Sequence, residues 1–378
     1  MTKKLHILFL CSWYPSKVLP TNGDFILRHA KTVSLQHKVS VLHIISDTRI
    51  YKSKIKINTL HNVHTYIGYI PHTSNPILKS IRFFIMYKRL LKMIERFDLI
   101  HLNVIFPFGL FALQQKALRK IPYIISEHWT GYFSPQNQKI SFLQKVLSKK
   151  ITQNAAFVCP VSGALKIAMQ AFGLKGNYKP IGNVIDTTTF FQKHEKESQF
   201  TIIHISSLND TQKNISGMLN TAKKLENSIG NFTWKFIGGL SRDYDQLIGK
   251  LKFHTADIQF IDHVPQKELS THLQKAHVCV SFSNYETFGV TLAEAIASGT
   301  YVISTSTGIL NEISKKAYFS IIPVKDENAL LNEIVHQKNK AQRLDSNEMN
   351  SSIKEMFSPQ VIVEKFSSLY YKSIQNIP

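Results

Sequence analysis

The sequence predicts an α/β protein made of two doubly wound domains. Three observations lead there. Short apolar runs alternate with segments of helical period along both halves, the pattern of parallel sheets covered by helices. At 378 residues the chain exceeds one ordinary domain and suits two. A polar stretch, FQKHEKESQ at 191–199, interrupts the alternation near the middle and reads as a linker. Domains are therefore expected at 1–190 and 200–358.

Composition narrows the class. Hydrophobic residues make up 43 % of the chain, enough for packed cores, and no apolar run reaches the length of a membrane span. The opening MTKKLHILFLCSWYP has two lysines and an apolar run, but no small-residue cleavage site follows, so it reads as a buried first strand. Cys11, Cys159 and Cys279 lie in apolar stretches without metal-ligand spacing and read as buried thiols of a reducing, cytoplasmic compartment. The net charge of +21 is uneven: residues 1–190 carry 26 Lys and Arg against 6 Asp and Glu, and residues 191–378 carry 20 against 19. A basic half beside a neutral half implies that one half faces a polyanion, either nucleic acid or an anionic membrane surface.

The first half reads as follows. Residues 5–12 form a strand, and the loop after it, SWYPSKVLPTNGDF, holds Gly23 in an Asn-Gly turn. A helix is expected from Ile26 to Leu35, then strands over 38–46 and 63–70, with the lysine-rich RIYKSKIKI between them as a solvated connection. Residues 78–97 make the best helix. Phe83, Met86, Leu90, Met93, Ile94 and Phe97 form an apolar stripe, with Arg82, Arg89 and Arg96 recurring every seventh position. Such a basic amphipathic helix either docks on a sheet or lies on an anionic membrane. A strand over 98–105 and a helix from FPFGLFALQQKAL follow. The strand at 121–126 ends in Glu127 and His128, a polar pair placed where open α/β sheets bind ligands; a structural His–Glu pair is the plainer reading. After strand 157–162, Ser162 caps a helix, and KPIGNVIDTTTFF, with Asn183, leads to the linker.

The second half restarts with strand TIIHISSL, then Lys213 and the helix ISGMLNTAKKL. Strand WKFIGG, with its Gly238–Gly239 turn, leads through a helix to IQFIDHVP and a further helix. The stretch 280–304, VSFSNYETFGVTLAEAIASGTYVIS, organises the whole chain. It reads as strand, loop, a helix opened by Gly289 and closed by Gly299, then strand. Glu286 precedes that helix and Glu294 lies in it. The free amides of Phe288, Gly289, Val290 and Thr291 and the helix dipole make its start an anion site. A diphosphate fits there, with a carboxylate on either side to accept hydroxyl hydrogen bonds. The plainer reading is that one Glu complements the dipole and the other is solvated. The last helix, Pro359 to Ile374, shows Val361, Phe366, Leu369 and Tyr370 as its apolar face. Neither half carries G-x-G-x-x-G with a following acid, which disfavours a nicotinamide enzyme. No D-x-D motif sits on a suitable loop, so no metal site and no cofactor is expected.

The run S-x-x-E-T-F-G-V-T-L-A-E-A-x-A-S-G from Ser283 to Gly299 resembles the donor-site signature of the retaining GT-B glycosyltransferases, in particular family 4, the group 1 glycosyltransferases. The resemblance implies two Rossmann-like domains facing a central cleft, with the helix at 359–378 returning to the first. It implies a retaining, metal-independent transfer of a sugar from a UDP- or GDP-linked donor. The acceptor hydroxyl would belong to a lipid-linked or polysaccharide chain, in cell-surface polysaccharide, lipopolysaccharide or capsule assembly. In that family the positions of Glu294 and Glu286 hold the ribose and the donor sugar. Lys213 neutralises the pyrophosphate, His128 approaches the sugar, and the loop containing Val264 lies over the base. Gly23, Glu127 and Asn183 are expected on the acceptor side. One departure stands out: where the family has Gly-Arg-Leu, this chain has Ser206, Ser207 and Leu208, so Ser207 replaces a phosphate-binding arginine. The basic half then implies a peripheral location on the inner membrane face. A nucleotide-sugar epimerase of the same fold, a nucleic-acid-binding protein and an inactive relative are the alternatives; against nucleic acid, no stacking-rich RNA motif or recognition helix is visible.

Overall fold

A computed structural model describes residues 3–306, 308–340 and 344–375. Met1, Thr2 and residues 376–378, at the ends of the expected first and last segments, lie outside them. The chain divides into two units: one contains everything up to Val184 and resumes at Pro359, and the other is Ile185–Ser358.

The first unit follows the order β1 (His6–Cys11), α1 (Asp24–Val33), β2 (Lys38–Asp47), β3 (Lys54–Leu60), β4 (Val63–Pro71), α2 (Pro76–Met93), β5 (Leu99–Asn103), α3 (Gly109–Arg119), β6 (Tyr123–Glu127), α4 (Phe142–Asn154), β7 (Phe157–Pro160) and α5 (Gly163–Ala171). The strands form one sheet in the order β3-β4-β2-β1-β5-β6-β7. All neighbours are parallel except β3 and β4. The central strands are apolar on both faces, as a covered parallel sheet requires. Capping follows local chemistry: Asn75 accepts from the amides of Ile77 and Leu78 at the start of α2, and Ser141 and Ser162 cap α4 and α5.

Two expectations are corrected here. The lysine-rich connection is partly a strand: β3 pairs antiparallel with β4 as an exposed edge, and Lys54 and Lys56 are the kind of charge that keeps an edge from pairing further. Helix α2 stops at Met93 rather than Phe97, and its stripe is incomplete. Met86 and Leu90 are buried while Met93 is exposed.

The second unit runs β8 (Thr201–Ile205), α6 (Asp210–Lys213), α7 (Ile215–Ile229), β9 (Thr233–Ile237), α8 (Asp245–Leu251), β10 (Asp257–Ile261), α9 (Gln266–Lys275), β11 (Val278–Ser281), α10 (Val290–Ala297), β12 (Tyr301–Thr305), β13 (Phe319–Ile322), α11 (Glu327–Asn339) and α12 (Ser346–Phe357). Its six strands are all parallel, in the order β10-β9-β8-β11-β12-β13. That is the doubly wound order, with its reversal between β8 and β11. Trp234, Phe232 and Phe236 fill the core under this sheet.

The unit boundary falls before the expected one. Ile185 donates its amide to Phe357 O, and Asn350 Nδ2 donates to Thr187 O and Phe190 O, so the turn at 185–190 packs with the second unit. The segment at 191–199 is not a loose linker either: the Lys193 amide donates to Gln274 Oε1 and the Glu197 amide to Lys275 O. The closing helix, α13 (Pro359–Gln375), packs on α1 in the first unit. There His37 and His101 bond to Ser367 and Tyr370.

Burial pushes His29 and His43 down to about 4 and holds His101 and His128 well below the ordinary histidine value. The unfolded chain, titrating near 6.5, therefore binds more protons than the folded unit between those values, and stability rises with pH across that window. The thermal midpoint should fall by more than about 5 °C from about pH 7 to about pH 5. Calorimetry at matched ionic strength checks this, and a flat profile contradicts it.

Candidate active site

In the second unit the expected donor residues come from the carboxyl ends of β8 and β11, on either side of the strand-order reversal. The turn after β8 is tight. Ser206 Oγ accepts from the Leu208 amide at 3.0 Å, which holds Leu208 at a φ of +54°. Gly238 has a φ of +115°, and a Cβ there would stand 2.1 Å from Ser206 O, so only glycine lets β9 approach this turn. Lys213 ends α6, and its ammonium forms an ion pair with the Glu286 carboxylate. Both side chains are largely enclosed, 15 % and 13 % exposed. Glu286 Oε1 also accepts from the Thr287 amide at 3.0 Å. The two loops are fastened by their backbones: the Asn284 amide donates to Gln212 O at 2.8 Å and Asn284 Nδ2 to Thr211 O at 2.9 Å. Ser207 is exposed and places no cation beside Lys213.

Helix α10 starts from Gly289 at a φ of +76°, where a Cβ would meet Leu292 Cδ1 at 2.8 Å. This turn aims the amides of Val290 and Thr291 out of the first helical turn beside Glu286. Phe288 is buried and fixes the turn from below, and its carbonyl accepts from the Ile309 amide at 2.9 Å. Glu294 is buried on α10 rather than solvated. Thr307, in the loop after β12, lies outside the described residues. Val264 is half-buried beyond the end of β10, on the far side of β9 from Lys213. Ser207, Lys213, Glu286, Phe288, Gly289, Val290, Thr291 and Glu294 thus share one edge of the sheet, with Val264 further along it.

In the first unit Cys11, Asn103 and Ser126, at the carboxyl ends of β1, β5 and β6, lie in register with one another and with His43 inside β2. Glu127 lies one residue beyond, fully buried. It does not pair with the His128 ring. Its Oε1 accepts from the amides of His128 (2.8 Å) and Trp129 (2.9 Å), and its Oε2 accepts from the Ile105 amide (3.1 Å). Burial outweighs those three donors and pushes the carboxyl up to about 7. Glu127 is therefore a positioning residue, a clamp for the turn that presents His128. The His128 ring lies 4.4 Å from Phe25 and 5.7 Å from His29, centre to centre. Neither of its nitrogens has a hydrogen-bond partner among the described residues. Gly23 caps α1 at a φ of +77°, and a Cβ there would be 2.7 Å from Trp13 C, so its smoothness serves the packing of its own loop.

The structure adds residues that the sequence reading passed over. His29 Nε2 lies 3.2 Å from Gly182 O, next to Asn183, and its Nδ1 has no hydrogen-bond partner among the described residues, nor do Asn183 Oδ1, Asn103 Oδ1 and His43 Nε2. The available signal was a polar side chain inside an apolar strand, as in SVLHIIS and LIHLN.

Two family models match the chain: Glycosyltransferase Family 4 over residues 28–189 and Glycosyl transferases group 1 over residues 186–350. The chain belongs to the group 1 glycosyltransferases. An uncharacterized glycosyltransferase of Methanocaldococcus jannaschii is 23 % identical over 317 residues, 82 % of this chain and 83 % of that one. Sucrose-phosphate synthase from Thermosynechococcus elongatus superposes with a TM-score of 0.76 at 15 % identity, covering 98 % of this chain and 99 % of that one. Anabaena HepE, solved with UDP-glucose, gives 0.72 at 15 % identity, covering 97 % and 100 %. These likenesses establish the two-domain GT-B fold.

In this glycosyltransferase Glu127→Gln replaces one acceptor oxygen by an amide that faces backbone N–H donors. The substitution should cost about 2 kcal/mol of stability, read by denaturant unfolding; an unchanged midpoint would mean the clamp is dispensable.

Proposed function

We propose that this glycosyltransferase is a retaining, metal-independent hexosyltransferase. It uses a nucleotide diphosphate sugar and a hydroxyl acceptor on a lipid-linked or polysaccharide chain, in cell-surface polysaccharide, lipopolysaccharide or capsule assembly. The observation that carries the reading is the Lys213–Glu286 ion pair at the head of α10, with Glu294 buried about one turn in. Lys213 and the amides of Val290 and Thr291 supply positive charge for a departing diphosphate, the kind of fixed stabilisation that dominates such reactions. Glu286 then accepts hydroxyl hydrogen bonds from the donor sugar, and Glu294 from the ribose. The bond between the anomeric carbon and the phosphate oxygen breaks, and the acceptor oxygen bonds to that carbon on the same face. The acceptor proton leaves with the diphosphate. His128, kept neutral by burial, is the residue of the first unit to which the family resemblance assigns a sugar contact. HepE solved with UDP and glucose supports uridine as the base over guanosine. The basic first unit supports a cytoplasmic enzyme held peripherally at the inner membrane face.

Ser207 favours a second reading, an inactive relative, because a diphosphate here meets one side-chain cation where the family has two. Thermal stabilisation by UDP, GDP, ADP and CMP in the presence of a chelator separates the two. One nucleoside diphosphate, expected to be UDP, should raise the midpoint, and Glu294→Ala should abolish the shift. Lys213→Ala should lower kcat for nucleotide-sugar turnover by roughly 10²–10³-fold. No shift with any nucleotide leaves the inactive reading standing.

A further inference from the structure

The outward surface of α2, α3 and α4 is organised in a way that no single helix reveals. The crossovers β4-α2-β5, β5-α3-β6 and β6-α4-β7 all step in one direction across the sheet, opposite to β1-α1-β2. Right-handed crossovers therefore put these three helices side by side on one face and α1 on the other. Contacts agree: Phe83, Phe84 and Tyr87 of α2 stack on Phe111 of α3, and α3 packs on α4. Because each helix follows a parallel strand, all three begin at the carboxyl edge of the sheet, the edge that carries Glu127 and His128.

Those beginnings are apolar and exposed. On α2 the residues Ile77, Ile81, Phe84 and Ile85 share one outward stripe, with Ile77 71 % and Ile85 52 % exposed. On α4 Phe142 and Leu143, the first two residues, are 83 % and 66 % exposed. Leu110 at the start of α3, also exposed, lies on the helix between them. Continuing down the same stripe of α2, the outward residues become Lys88 and Lys92, both exposed. On α4 they become Lys149, half-buried, and Lys150, exposed. None of the three helices contains an Asp or a Glu.

We infer that this rim is a membrane-insertion surface for an anionic bilayer. On α2 and α4 apolar tips lead, and lysines follow about two to three turns behind; α3 has an exposed leucine at each end, Leu110 and Leu118. The order on α2 and α4 is the order of depth that acyl chains and lipid phosphates impose. The absence of acids gives charge complementarity to an anionic leaflet over the whole face. The interface would hold the carboxyl edge of the first sheet, with His128, against the bilayer. The acceptor that the proposed function calls for would then be delivered laterally by the lipid that carries it. The membrane location and this delivery both rest on that proposed function; the rim names the surface that makes the contact.

Sedimentation with vesicles of phosphatidylcholine, with and without phosphatidylglycerol, tests it on the whole chain. The unmodified protein should bind the anionic vesicles and largely ignore the neutral ones. Ile81→Glu combined with Phe142→Glu should weaken binding about ten-fold or more, and Lys88→Ser with Lys150→Ser roughly five-fold per lysine. These side chains are exposed, so unfolding midpoints and the stabilisation by nucleoside diphosphate should stay unchanged. That measurement keeps a failed docking surface distinct from a failed donor site. Tryptophan emission of Phe142→Trp should shift to the blue with anionic vesicles only. Equal binding to both vesicle types, undiminished binding of the glutamate variant, or an unshifted emission would overturn the proposal. So would light scattering that shows the glutamate changes splitting an oligomer into monomers, since the rim would then be a contact between copies of the chain.

Discussion

A parallel sheet whose strand order reverses cannot cover its own carboxyl edge at the reversal, because the two connections there leave in opposite directions. Both units of this protein are built on that constraint. In the second unit it separates the loop after β8 from the loop after β11, and Lys213 and Glu286 are the residues that meet across the gap. In the first unit it separates β1 from β5, and the residues brought to the edge are Cys11, Asn103, Ser126 and Glu127. Most of the site is therefore delivered at the carboxyl ends of strands and the loops after them, with Glu294 and His29 added from helices α10 and α1. The glycines at 238 and 289 belong to the same logic, since each lets backbone approach where a side chain would block it.

A largely enclosed ion pair such as Lys213–Glu286 adds little net stability, because desolvation of both charges offsets their attraction. Its value lies in holding two opposite charges in fixed positions before any ligand arrives. A diphosphate near Lys213 shares the ammonium with Glu286, and the carboxylate is then freed to accept from sugar hydroxyls. With Ser207 in place of an arginine, the balance of that exchange depends on the backbone amides of α10 more than in a site with two side-chain cations. Helix amides cannot move away or lose charge, so this arrangement trades strength of attraction for preorganisation.

Much of this was legible in the sequence, and the reasons differ by residue. The run from Ser283 to Gly299 was readable because strand, loop, helix start and helix end each need a particular residue type at a fixed spacing, and all four agreed. Glu127 was visible as a polar residue at a strand end, but its partners were not. A carboxylate that accepts three backbone amides leaves no pairwise signature in sequence. His29, His43 and Asn103 went unread because a single polar side chain in an apolar segment looks the same whether it faces a neighbour or a site. Edge strand β3 was hidden by its lysines, which speak for solvent exposure and say nothing about pairing.

Helix α2 shows why periodicity alone misjudges a surface. Its inward stripe, Met86 and Leu90, was found because it has helical spacing. Its outward stripe, Ile77, Ile81 and Phe84, has the same spacing, so the sequence offers two apolar faces and no rule for choosing between them. A helix apolar on both sides is ordinarily buried on both. Here one side is open, and the excess of apolar surface lies where the helix begins and the excess of charge where it ends. A soluble domain gains nothing from that gradient, which leaves large side chains in water at appreciable cost. Water is uniform along the helix, so a sequence that grades its outward face from isoleucine to lysine is matched to a surroundings that is graded too.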